Sequence, residues 1–201
     1  MSSLNFFNDL LARCGAATAK QVALQAGEAL FHQGDAPIGL ILVESGELEL
    51  VRWTQRGGGV RIHTAKQGQT FAEASLFAET CHCDAVARVA SGVCILPKVE
   101  VLAAFASEPD LSNRFSAYLA QSLMATRRML ELRAMRPLGE GMLARLAEVV
   151  KADGALPKEV TLLSLADDLG VTGPALYRAL TQLEKDGRVI RPARGRVQLV
   201  R

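Results

Sequence analysis

The chain has 201 residues, 49% of them hydrophobic and 22% charged, a balance that excludes disordered and fibrous classes and leaves room for one or two domains. No apolar run approaches the roughly 18 residues of a membrane span, and the N-terminal segment, with Asp9 inside its apolar stretch and no basic lead-in, does not read as a signal peptide. Net charge is +2, but residues 1–108 hold 8 Lys/Arg against 11 Asp/Glu and residues 109–201 hold 15 against 10, so basic charge gathers at the C-terminal end. Residues 171–201 alone carry seven basic side chains against two acidic ones. Such asymmetry points to an anionic partner, nucleic acid first and a membrane surface second. The four cysteines, Cys14, Cys81, Cys83 and Cys94, are too few for a disulfide scaffold at this length. A cytoplasmic protein with free thiols is expected.

Residues 25–97 read as short strands broken by turn signals. Gly27, Gly34-Asp35, Ser45-Gly46, the glycine run 57–59 and Gly68 recur roughly every ten residues. Between them, residues 40–43, 47–53 and 60–64 alternate or run apolar as half-buried strands do. Within 47–53, Leu48, Leu50 and Arg52 are expected on one face and Glu47, Glu49 and Val51 on the other. The glycine run suggests a hairpin rather than a phosphate loop, because no Gly-Lys-Ser/Thr and no helical pattern follows it. The pattern predicts a small antiparallel β-roll or barrel.

After Pro97 the period becomes helical. Residues 98–106 form a short helix, and Glu108-Pro109-Asp110 opens a longer one with acidic charge in its first turn. Residues 111–136 carry two apolar stripes: Leu111, Phe115, Tyr118, Ser122, Ala125, Met129 and Leu132 on one side, Leu119, Leu123, Thr126 and Leu130 on another. A helix with two apolar sides buries both. One packs on its own β-domain and the other meets a partner helix, and the expected dimer face is Leu111, Phe115, Tyr118, Ser122, Ala125 and Met129. The alternative is a helix buried wholly within one chain. Pro137 ends or hinges it, and residues 138–150 form the next helix.

Residues 161–180 read as helix, glycine turn, helix. Ala166 is the small residue at the crossing, Gly170 supplies the left-handed turn, and Thr172 caps a second helix with Pro174 in its first turn. Leu176, Leu180 and Leu183 make the buried face of that helix. Gly187 stops it, and residues 189–191 and 194–199 follow as two short strands around a turn. Helix-turn-helix plus wing is a DNA-reading architecture with its basic excess where phosphates would lie.

With both halves in view, the chain resembles the Crp/Fnr superfamily of bacterial transcription regulators. The residues that carry the likeness are Gly27-Glu28-Ala29-Leu30-Phe31-His32-Gln33-Gly34-Asp35, residues 42–51 with the Ser45-Gly46 turn, Phe71-Ala72-Glu73-Ala74-Ser75-Leu76-Phe77, residues 84–90, the helix from Pro109 and the winged helix-turn-helix. The resemblance implies an α+β fold: an N-terminal antiparallel β-roll (1–108, a cyclic-nucleotide-binding-like sensor), a long dimerisation helix (109–136) and a C-terminal winged helix-turn-helix (137–201). It implies a homodimer on a two-fold symmetric double-stranded operator, with RNA polymerase as a further partner and no membrane association.

The chain also departs from the family. In the cyclic-AMP-binding branch a Gly-Glu-Leu cassette is followed by an Arg-Ser pair that neutralises the cyclic phosphate. Here Ala72-Glu73-Ala74 keeps the glutamate, which in that branch holds the ribose, while Cys83 and Asp84 take the Arg-Ser positions. Thr126 lies beside the position of that branch's adenine-contacting threonine, followed by Arg127 and Arg128. The resemblance therefore gives an effector pocket of Glu73, Cys83, Asp84, Thr126 and Arg127 without cyclic AMP as its ligand. The iron–sulfur branch needs several N-terminal cysteines, and Cys14 stands alone there. Cys81-His82-Cys83 remains open to several readings: a redox or metal site, by analogy with carbon-monoxide-sensing relatives a haem site, or two buried small hydrophobes beside a surface histidine. Cys94 reads as strand core.

In the recognition helix many members carry an Arg-Glu pair where this chain has Gly173-Pro174, but Arg178 keeps the family's final base-contacting arginine. The expected DNA-binding residues are Thr172, Tyr177, Arg178, Arg194 and Arg196, with Lys185, Arg188 and Arg191 as further phosphate candidates. No Ser/His/Asp, Cys/His/Asn or paired-carboxylate set has catalytic spacing, so no catalytic residue is assigned. The rival expectation is a haem or small-ligand sensor whose winged helix serves protein contacts.

Overall fold

The computed structural model describes residues 3–54, 57–158, 160–193 and 196–200. The chain forms two compact units, residues 1–119 and 120–201. No helix among the described residues is long and apolar enough to cross a membrane.

The first unit begins with a helix, α1 (Ser3–Cys14), followed by strands β1 (Lys20–Leu24), β2 (Ala29–Phe31), β3 (Gly39–Ser45), β4 (Glu47–Trp53), β5 (Gly59–Lys66), β6 (Thr70–Phe71), β7 (Asp84–Ala87) and β8 (Ser91–Pro97). A short 3-10 helix, Glu73–Phe77, lies between β6 and β7. The strands build two antiparallel four-stranded sheets, in the orders β1-β8-β3-β6 and β2-β7-β4-β5. Helix α2 (Lys98–Ser107) follows, and then α3 (Pro109–Ala134), which runs on into the second unit.

Strand alternation explains how the layers stack. Ile41, Val43, Val93 and Ile95 point into the core shared with the second sheet, where they meet Phe31, Leu48, Phe71, Ala85 and Ala87. Their neighbours Leu40, Leu42, Cys94 and Leu96 point the other way, onto Phe6, Phe7 and Leu10 of α1, Val101 and Phe105 of α2, and Leu111 and Phe115 of α3. The first sheet is thus covered on both faces, which is why residues 40–43 and 93–96 are apolar runs rather than alternating ones. Gly39 allows the tightest approach: a Cβ there would lie 1.9 Å from the Leu96 carbonyl oxygen. On β4, Leu48 and Leu50 pack on the core as expected. Val51 faces the other way but is buried as well, because Gly59 of the paired β5 lies against both Val51 and Trp53.

The structure removes Leu111 and Phe115 from the expected dimer face. Leu111 and Phe115 are buried in the first unit's own core, Phe115 stacking on Phe6 with ring centroids 5.6 Å apart and lying 5.0 Å from Phe105. Tyr118 is half-buried there, its hydroxyl 2.6 Å from Thr70 Oγ1. Met129 packs partly on the second unit's core, and Leu132 is inside it. Of that stripe Ala125 is exposed and Ser122 half-buried. The reason for the first part is α1, which periodicity alone leaves unassigned: it supplies the apolar surface against which Leu111, Phe115 and Tyr118 close.

The second unit continues α3 and adds α4 (Leu138–Val149), α5 (Leu162–Leu169), α6 (Gly173–Lys185) and a two-stranded ribbon, β9 (Val189–Ile190) with β10 (Gln198–Leu199). Met142, Leu146, Leu165, Ala166, Leu176, Leu180, Val189 and Val197 form its core with Leu132. Burying a large apolar side chain of this kind is worth roughly 1.5–3 kcal/mol, so the small unit is held by its helix stripes rather than by its two short strands.

Candidate functional site

Local capping defines the helix-turn-helix. Thr161 and Ser164 form a reciprocal capping box at the start of α5, each side-chain oxygen 3.0 Å from the other residue's backbone N–H, a pair that apolar periodicity does not single out. Gly170 ends α5 with φ +64° and donates to the carbonyls of Ala166 and Asp167. Thr172 then caps α6, accepting from the Ala175 N–H at 3.4 Å, with Pro174 in the first turn. Leu176, Leu180 and Leu183 are buried, so the opposite face projects outward. On it Tyr177 is 48% exposed and Arg178 is exposed, and Arg178 makes no hydrogen bond or ion pair with any described residue.

The basic residues after α6 divide. Lys185, Arg188 and Arg196 are exposed, whereas Arg191 does not stand free for a phosphate as expected. Its Nε donates to Glu184 Oε2 at 2.8 Å and its Nη2 to the same oxygen, tying the end of β9 to the last turns of α6. That hydrogen bond pushes the Arg191 guanidinium further up and holds Glu184 below the usual carboxylate range. Arg194 lies outside the described residues.

In the first unit Glu73 and Asp84, the two carboxylates of the expected effector pocket, have separate partners and opposite shifts in proton affinity. Asp84, at the start of β7, accepts from the Gln33 backbone N–H at 2.7 Å and from the Trp53 indole N–H at 2.8 Å, with His32 Nδ1 at 3.7 Å. These contacts, the Gln33 bond foremost, hold it below the usual aspartate range. Glu73 opens the 3-10 helix after Ala72, a non-glycine residue at φ +60°. Burial pushes its carboxyl up, against the opposing pull of its own backbone N–H, of His63 and of the Tyr118 hydroxyl. Sequence inspection has no signal for His32, Gln33, Trp53, His63 or Tyr118 as carboxylate partners, because each reaches its carboxylate across the fold rather than along the chain.

Residues 21–108 match the family profile of the cyclic nucleotide-binding domain. No curated protein matches the sequence. Among solved structures, FixK2 from Bradyrhizobium japonicum aligns at 17% identity and TM-score 0.66 over 91% of this chain and 93% of its own. The regulator CLP of Xanthomonas campestris, described as c-di-GMP responsive, aligns at 17% and 0.65 over 96% and 99%. TTHA1359, a transcriptional regulator of the CRP/FNR family from Thermus thermophilus, aligns at 22% and 0.56 over 90% and 94%. The fold is that of the Crp/Fnr regulators.

Against the Crp/Fnr frame, the expected effector residues are divided between the two units: Glu73, Cys83 and Asp84 belong to the first, Thr126 and Arg127 to the second. The Thr126 hydroxyl donates to the Ser122 carbonyl at 2.9 Å, and Arg127 is exposed. The segment before β7 is fastened from three sides. Lys98 Nζ donates to the Ala78 carbonyl at 2.7 Å, Arg52 Nη2 to the His82 carbonyl at 2.9 Å, and Cys81 exchanges backbone hydrogen bonds with Gly34 and Asp35 at 2.8 Å each. Cys81 and Cys83, in the bend that precedes β7, are buried at 3% and 2% exposure, with His82 exposed between them. Burial raises both thiols, which lowers their thiolate fraction. No group of three His, Cys, Asp or Glu side chains gathers as metal ligands among the described residues. Cys94 is buried strand core.

Proposed function

We propose that the chain is a non-enzymatic, homodimeric, sequence-specific DNA-binding transcription regulator controlled by an effector that is not a cyclic nucleotide. The observation that carries the reading is the outward face of α6, where the Arg178 guanidinium, bonded to no described residue, and Tyr177 project from a capped helix followed by the β9–β10 wing. Arg178 suits a bidentate bond to guanine O6 and N7, and Thr172, Lys185, Arg188 and Arg196 suit phosphates. Arg194 joins them on sequence alone.

The effector reading rests on charge. An ionised Asp84 and a buried Cys83 stand where the cyclic-AMP-binding branch carries Ser and Arg, and two like charges about 4 Å apart repel by about 4 kcal/mol at an effective dielectric near 20. The dimer reading rests on α3. Leu119, Leu123, Thr126 and Leu130 repeat at four-three-four spacing, a coiled-coil seam, and Leu123 and Leu130 are 50% and 59% exposed. This second stripe, and not the one through Phe115, is the face for a second copy.

Selection from randomised duplexes followed by gel shift tests the reading. An inverted repeat with half-site centres about 34 Å apart is expected. Arg178→Ala should weaken the selected site by about 1–3 kcal/mol and relax one position per half-site, while Arg196→Ala lowers affinity for all sequences and flattens the salt slope by about one charge. Absence of any sequence preference in the wild type overturns it.

A further inference from the structure

The second unit contains a guanidinium that has no part in the DNA contacts proposed above: Arg133, in the last turn of α3. Its Nε donates to the Asp168 carbonyl at 2.9 Å and its Nη2 to the Asp167 carbonyl at 3.0 Å. These are carbonyls at the C-terminal end of α5, where the helix carries partial negative charge, and the Asp167 carbonyl also accepts from the Gly170 N–H. The same side chain lies against the turn itself, since a Cβ at Gly170 would sit 3.2 Å from Arg133 Nε and 3.3 Å from its Cδ. A second link reinforces the first. Arg145 of α4 reaches Asp168 Oδ2 with Nε at 2.9 Å and Nη2 at 2.8 Å, and reaches Glu148 with Nη1 at 3.1 Å. Glu148 is bonded at 2.5 Å to Arg128 of α3, which also pairs with Glu131 at 2.7 Å. Two adjacent peptide carbonyls are thereby held by one planar fork, and the carboxylate of the second is held by another.

We infer that Arg133 is a positioning residue for DNA reading: its fork clamps the end of α5 and the Gly170 turn to the long helix, and so sets where the N-terminus of α6, with Arg178 about two turns beyond its cap, is presented. The inference rests on the DNA-reading function proposed above but adds a residue that touches no DNA. Geometry explains the residue type. A guanidinium offers two parallel N–H donors at the spacing of successive carbonyls, whereas a lysine ammonium is a point donor on a flexible stem. A general loss of stability would be repaired in part by Lys, which keeps the charge near the helix end; loss of the clamp would not.

Two measurements on the full chain decide it. Without DNA, hydrogen exchange of the Gly170 and Val171 amides, which bond to Asp167 and Ala166, should quicken by about tenfold or more in both Arg133→Ala and Arg133→Lys, the scale of losing a charge-assisted hydrogen bond. With DNA, the ratio of selected-site to random-duplex affinity should fall about tenfold in both variants, at a temperature where circular dichroism reports each folded. Unchanged exchange at Gly170 and Val171, or wild-type discrimination in Arg133→Lys, overturns the clamp. If the wild type itself lacks sequence preference, the DNA reading fails, and the exchange experiment alone still decides whether Arg133 holds the turn.

Discussion

The surroundings of β7 in the first unit and the outer face of α6 treat polar side chains in opposite ways. Around β7, Asp84, Arg52, Glu73 and Lys98 each have a partner within the unit. On α6, Tyr177 and Arg178 project with the helix's own cap and buried leucines already satisfied. A polar group that is hydrogen-bonded at home gains little from an external ligand, because the internal bond must first be broken. An exposed guanidinium held on a rigid helix is ready for one. The outer face of α6 is therefore preformed for an external partner, while any effector of the first unit must compete with bonds already made.

The contrast breaks first, and most severely, along α3. Phe115→Glu places a carboxylate in the core of Phe6 and Phe105 and should destabilise the first unit by more than about 4 kcal/mol in thermal or urea unfolding. Leu123→Glu, on the exposed stripe of the same helix, should leave unfolding of the chain within about 0.5 kcal/mol at fixed oligomeric state and instead give a monomer in sedimentation where the proposed dimer is expected of the wild type. A wild-type fold in Phe115→Glu would mean that the first stripe is not internal.

Asp84→Asn probes the surroundings of β7 at the next level. The amide keeps one acceptor for Gln33 or Trp53 but loses the charge, and a cost of about 1–2 kcal/mol is expected at neutral pH. Because Asp84 binds its proton more weakly folded than unfolded, its contribution is present above the ordinary aspartate value and disappears as pH falls through the lowered one. The variant should therefore lose most of its deficit in strong acid, which paired urea titrations across pH will measure.

Glu73→Gln carries the opposite sign and the smallest effect. Burial raises this carboxyl, so the folded state holds the proton more tightly than the unfolded chain, and the charged form costs stability above the raised value. That cost is relieved as pH falls through the raised value toward the ordinary one. Gln retains a hydrogen-bonding partner for Tyr118, so the variant should be slightly more stable at neutral pH in the same urea titrations, with the increment shrinking in mild acid. A variant less stable at neutral pH would make the Glu73 charge part of what holds Tyr118.

Much of the architecture is legible in one dimension because its determinants are local. Thr172, Pro174, Gly170 and Gly187 are backbone and capping signals that act within a few residues, and the winged helix-turn-helix follows from them. The glycine-punctuated strands of residues 39–66 are legible for the same reason. Helix α1 is apolar at seven of its twelve positions, but what those side chains cover depends on a sheet face formed far along the chain.

The sequence by itself thus determined the α+β class, the change from strand to helix after Pro97 and the winged helix-turn-helix, since propensity, capping and period depend on neighbours in the chain. Only the tertiary structure decided which stripe of α3 is interior, since α1 and α2 cover the one through Leu111 and Phe115. Only it paired Asp84 with Trp53, Glu73 with Tyr118, Arg191 with Glu184 and Arg133 with the end of α5. Charges find partners by distance in space, and a residue's spacing in sequence says nothing of a guanidinium that reaches a carbonyl 34 or 35 positions away.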